Sequence, residues 1–98
     1  MIKTAPFDAA EFLTTERAQR ELIADALESG HAPYIANAIG IVARARGMSK
    51  IAEQAGVTRA ALYRALSEDG DPQLSTLLGA LKALDMSLTI KKSKKKAA

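Results

Sequence analysis

Residues 48–67 read MSKIAEQAGVTRAALYRALS. The string predicts two short helices joined by a three-residue turn built around Gly56. Ala52, Gly56 and Leu62 fall four and then six residues apart. A helix-turn-helix needs this spacing. A small residue stands where the helices cross, a glycine where the chain turns with positive φ, and an aliphatic residue where the second helix enters the core. Ile51, Ala55, Val57 and Ala65 supply the remaining buried positions. Thr58, Arg59, Ala60, Tyr63, Arg64 and Ser67 are left on the outer face of the second helix. Two arginines, two hydroxyls and a tyrosine on one exposed face suit the DNA major groove. Arg59 falls in the first turn of its helix, where a cation opposes the macrodipole. A charge placed against the local field hints at a use elsewhere. The string points to a sequence-specific DNA-binding protein.

Outside this stretch, composition narrows the alternatives. Ninety-eight residues make one small domain. Hydrophobic residues are 48% but aromatics only 4%, so the core is built from Ala, Leu and Ile, which favours helices. The chain has no cysteine, which rules out disulfides and thiolate metal sites and fits a reducing, cytoplasmic setting. No apolar run approaches the roughly 20 residues of a membrane span. The opening MIKTAPFDAAEF lacks the charged-then-apolar layout of a signal peptide. His31 is the one histidine and precedes Pro33 at a helix start, so it reads as a turn residue. Neither a metal nor a cofactor site is expected. No serine or threonine has a base partner for nucleophilic catalysis, and Glu68 and Asp69 lie in an exposed turn where nothing would raise a carboxyl pKa. The chain does not read as an enzyme.

The net charge of +3 is unevenly spread. It is −3 over residues 1–30, +4 over 31–66, −3 over 67–90 and +5 from Lys91 onward. Positive charge gathers around the two-helix string, as phosphate contact requires, while the flanks would repel DNA.

Working outward, Asp8 to Glu11 resembles a capping box and opens a short helix near Ala9–Leu13. Thr14 and Thr15 cap a longer helix, Glu16–Glu28, with Gly30 as its stop. Pro33 starts the next helix, which runs to Arg46 and ends at Gly47. Beyond the string, SEDGDP is a polar turn, and Gln73–Leu84 carries a leucine stripe at three- and four-residue steps. Met86–Lys91 alternates apolar and polar residues, the pattern of a half-buried strand, with Ile2–Thr4 or a second chain as its partner edge. The tail from residue 92 to 98 is lysine-rich and reads as disordered.

This plan resembles the lambda-repressor-like, or Xre-type, fold over residues 33–84. A tighter resemblance, to HigA-type addiction-module antidotes, covers nearly the whole chain. It is carried by KTAPFDAAEFL, by the segment running from ALESGHAPYIANAIG to LYRALSEDGDP, and by TLLGALKALDMSLTI. LYRALSEDGDP is the most specific part, and PFDAAEFL is an independent second match. The expected fold is mainly all-α: a five-helix DNA-binding domain, with an N-terminal helical extension and a short C-terminal strand. Residues 1–30 would form the extension, 31–91 the DNA-binding domain and 92–98 the tail. The resemblance implies a homodimer that binds its own double-stranded operator DNA, represses its operon and neutralises a RelE/ParE-like toxin. Many lambda-repressor-like motifs open their first motif helix with a glutamine that reaches the DNA backbone, where this chain has Met48; Ser49 and Lys50 are the candidates to take over that phosphate contact. Asp85 stands where a glycine often follows the last helix, and aspartate tolerates the left-handed region.

Toxins of that kind tend to be basic, as the resemblance implies, so the acidic N-terminal segment is the natural docking surface. Phe7, Glu11, Phe12, Leu13 and Glu16 are the candidate contacts. Two other readings stand beside the antitoxin: a plain Xre-type repressor with no toxin, and an interaction module that no longer binds DNA.

Overall fold

Thr15 opens the part of the chain that the computed structural model describes, residues 15–93. Five helices follow: α1 Glu16–Ser29, α2 Ala32–Arg46, α3 Met48–Ala55, α4 Arg59–Ala65 and α5 Leu74–Ala83. Their ends are set by local chemistry. The Thr15 hydroxyl accepts the Ala18 N–H at 3.1 Å, meeting one of the donors a helix start leaves free. Thr58 does the same for α4 through the Ala61 N–H at 3.0 Å. Pro33 sits in the first turn of α2, where its missing N–H costs nothing.

Two helices stop by the same device. At Gly56 the backbone turns left-handed, with φ 78°. Its N–H donates to the Glu53 carbonyl and that of Val57 to the Ala52 carbonyl, a Schellman closure. Asp85 repeats this after α5 with φ 62°: its N–H donates to Lys82 and that of Met86 to Leu81. The aspartate holds the place the sequence assigned to it.

α1 packs on α2, α2 touches α3 and α5, and α3 lies between α4 and α5. Ile39, Val42, Ile51, Leu62, Leu66, Leu81 and Leu84 are the largest fully buried side chains. Ala52, at the expected crossing, is 2% exposed. Ile23 of α1 belongs to this same core. Burying one such aliphatic side chain stabilises by about 1.5–3 kcal/mol, so α4 is anchored chiefly through Leu62 and by Leu66 just after its end.

Gly40 explains how α2 comes so close to the end of α4. A Cβ there would lie 2.0 Å from the Leu66 carbonyl oxygen. Gly40→Ala is therefore expected to destabilise the protein by roughly 1–3 kcal/mol of overpacking, outweighing the ~1 kcal/mol helix-propensity gain. A thermal melt checks this; a midpoint at or above the wild-type value contradicts it.

Three expectations change. Met86–Lys91 forms no strand; the residues are irregular and no ladder occurs among the described residues. The alternation has another cause at its first position. Met86 is the residue after a Schellman turn, and it packs its side chain on the core beside Leu81. Leu88 and Ile90 beyond it are exposed. The leucine stripe of α5 divides: Leu81 and Leu84 are buried, while Leu74 and Leu78 face solvent. Ala55, Val57 and Ala65 are half-buried rather than buried. The short helix expected near Ala9–Leu13 and the edge at Ile2–Thr4 lie outside the described residues. No helix among them is long and apolar enough to cross a membrane.

Candidate nucleic-acid interface

The Thr58 cap fixes where α4 begins, and Leu62 fixes which face turns inward. Thr58, Arg59, Ala60, Tyr63 and Arg64 are consequently all exposed, and Tyr63 is 51% so. Ala60, Tyr63 and Arg64 stand three and four residues apart on one side of the helix. Ser49 and Lys50 are exposed at the first turn of α3. Ser67 differs from the rest. It is half-buried, and its hydroxyl donates to the Arg64 carbonyl at 2.9 Å. It ties off the end of α4, and its proton is already in use.

The cations fall into two groups. Arg17 pairs with Glu21 at 3.2 Å, and Arg20 with Glu16 at 3.7 Å. Arg46 donates from Nε to buried Gln19 at 2.7 Å and lies 4.0 Å from Glu16. It ties α2 to α1. Arg44, Lys50, Arg59 and Arg64 make no ion pair among the described residues, and neither do Lys82, Lys91 and Lys92 further along the chain. An unpaired, hydrated cation can exchange its water for a phosphate, with release of the counterions around the nucleic acid. Arg46 therefore adds less open charge to residues 31–66 than a count of basic residues gives.

Arg44 was not among the residues singled out by sequence. It stands in the last turn of α2 with its guanidinium carbon 5.5 Å from the centre of the Tyr63 ring. Only the local run of positive charge signalled it; the approach of α2 to α4 is a tertiary fact.

Of the candidate partner contacts, only Glu16 lies within the described residues. Its carboxylate is shared between Arg20 and Arg46, so it is not a free charge. Asp25 accepts the Tyr34 hydroxyl at 2.6 Å, which raises the Tyr34 pKa above its ordinary value by holding the proton. An open groove also runs beside α1, lined by Ile23, Leu27, Leu81, Met86 and Leu88 among others. No group of side chains able to hold a metal ion occurs among the described residues.

Fold and face together define a small helical protein with an unpaired basic surface on one short helix. The chain belongs to the family described as probable addiction module antidote proteins, whose model matches residues 3–92. It is 39% identical over 88 residues to an uncharacterized protein of Haemophilus influenzae, covering 90% of this chain and 91% of that relative. No solved structure matches it. Membership in that family suggests an antidote role and implies a cognate toxin as partner.

Proposed function

We propose that this antidote is a DNA-binding antitoxin with a lambda-repressor-like, Xre-type helix-turn-helix. It neutralises a RelE/ParE-like toxin in the cytoplasm and represses its own operon. α3 and α4 are the two motif helices, and α4 enters the major groove. Arg59, Ala60, Tyr63 and Arg64 face the base edges, while Ser49, Lys50 and Thr58 take phosphates. The observation that carries this reading is the contrast in pairing. The arginines of α1 are neutralised by neighbouring glutamates, whereas Arg59 and Arg64 are left open on the face that the Leu62 anchor turns outward.

One recognition helix reads too few bases for useful specificity, so the chain acts as a homodimer on two half-sites about one helical turn apart. Residues 1–30 and 31–91 divide roles rather than cores, since Ile23 is shared.

Toxin docking falls to the N-terminal segment. With Glu16 partly neutralised, Glu11 supplies orientation and Phe7, Phe12 and Leu13 supply most of the affinity. Deleting residues 1–14 leaves α1 and its core side chains in place. The shortened chain should keep binding the DNA upstream of its gene and lose toxin neutralisation in a growth assay. Full neutralisation by the shortened chain contradicts this division.

A further inference from the structure

We propose that Arg44, which lies outside both motif helices, is a phosphate-binding and positioning residue of the DNA interface. The face of its guanidinium holds the Tyr63 ring, and its edge takes a backbone phosphate. The proposal rests on the DNA-binding reading above.

The distance of 5.5 Å from guanidinium carbon to ring centre lies within the range of cation–π attraction. Both side chains are exposed, so neither is there to fill the core. Arg44 makes no ion pair or hydrogen bond through its side chain among the described residues. A guanidinium has two kinds of surface. Its flat faces stack, and its edge carries five N–H donors in one plane. Stacking on Tyr63 uses a face and no donor. The whole edge stays available, and a phosphate can take two of its N–H groups together.

The contact also acts on Tyr63. An exposed tyrosine samples several rotamers, and ordering it at an interface costs entropy. A ring held by Arg44 before binding has less to lose. Arg46, two residues on, shows the contrast: it is committed to Gln19 and Glu16 and has no such freedom. A cation in the last turn of α2 also complements that helix's dipole. That role alone would leave DNA binding untouched, which makes the two separable.

The test uses the full chain, a labelled duplex of the DNA directly upstream of its gene, and a scrambled duplex of equal composition. Affinities of wild type, Arg44→Ala, Arg44→Lys and Tyr63→Ala are measured across a salt series. Circular dichroism confirms that each variant is folded. Arg44→Ala should weaken binding to both duplexes severalfold and reduce the salt slope by about one. Arg44→Lys should keep the slope, because it keeps the charge, yet lose affinity for the upstream duplex, because an ammonium cannot stack as a plane. In a Tyr63→Ala background the Arg44→Lys loss should shrink to the part owed to the lost bidentate phosphate contact, because the stacking part is already gone. Wild-type slope and affinities in Arg44→Ala would overturn the proposal. Arg44→Lys indistinguishable from wild type would overturn the positioning role. Wild-type protein that binds neither duplex would instead overturn the DNA-binding reading, and this proposal with it.

Discussion

Arg59→Ala is expected to weaken binding to the upstream DNA by about 1–3 kcal/mol, roughly fivefold to 150-fold at fixed salt. Arg59 is the first residue of α4, is exposed, and pairs with no carboxylate among the described residues. Its charge opposes the dipole of its own helix, so removing it should not harm the fold. The effect should be largest on the specific sequence, because a bidentate base contact is lost along with charge. Arg17→Ala is the matched control. It removes the same charge from an exposed site that is already paired with Glu21, and it should change DNA affinity little. Binding isotherms for the two variants side by side check this; equal losses would mean that α4 contributes charge and no reading.

Leu62→Ala should cost about 2–5 kcal/mol of stability, a large part of the 5–15 kcal/mol typical of a domain. Leu62 is fully buried and is the only buried residue within α4. Its loss leaves a cavity under the recognition helix and removes the side chain that orients the outer face. Leu62→Met keeps the volume and should cost less than about 1.5 kcal/mol. Urea unfolding of both variants decides the matter. An Ala variant as stable as the Met variant would mean that α4 is held by something other than this anchor.

The sequence was legible where local chemistry decides the structure. The Thr15 cap, the Gly30 and Gly56 stops and Pro33 placed the helix ends to within a residue or two, because each rule acts over three or four residues. Ala52, Gly56 and Leu62 marked the crossing, the turn and the anchor for the same reason. The alternation after Asp85 misled because a Schellman turn also wants an apolar residue just beyond it, and Met86 meets that need without a strand. Gly40 gave no local signal: a mid-helix glycine becomes meaningful only when the Leu66 carbonyl approaches it from elsewhere in the chain. Arg44 and Arg46 look alike in sequence, two basic residues ending one helix. Their fates differ because Arg46 meets Gln19 of α1 and Arg44 meets Tyr63 of α4. Charge counting finds such residues but cannot sort them, since pairing depends on tertiary neighbours.

The central claim, that the open basic face of α4 reads a DNA sequence, is tested most directly by comparing two duplexes at about 0.15 M salt. One carries the DNA upstream of the gene and the other its scrambled counterpart. Wild-type protein should bind the first at least about a thousandfold more tightly, the low end of the range for specific readers. It should saturate at two chains per duplex, and Arg59→Ala should narrow the gap. Equal affinity for both duplexes would contradict the account.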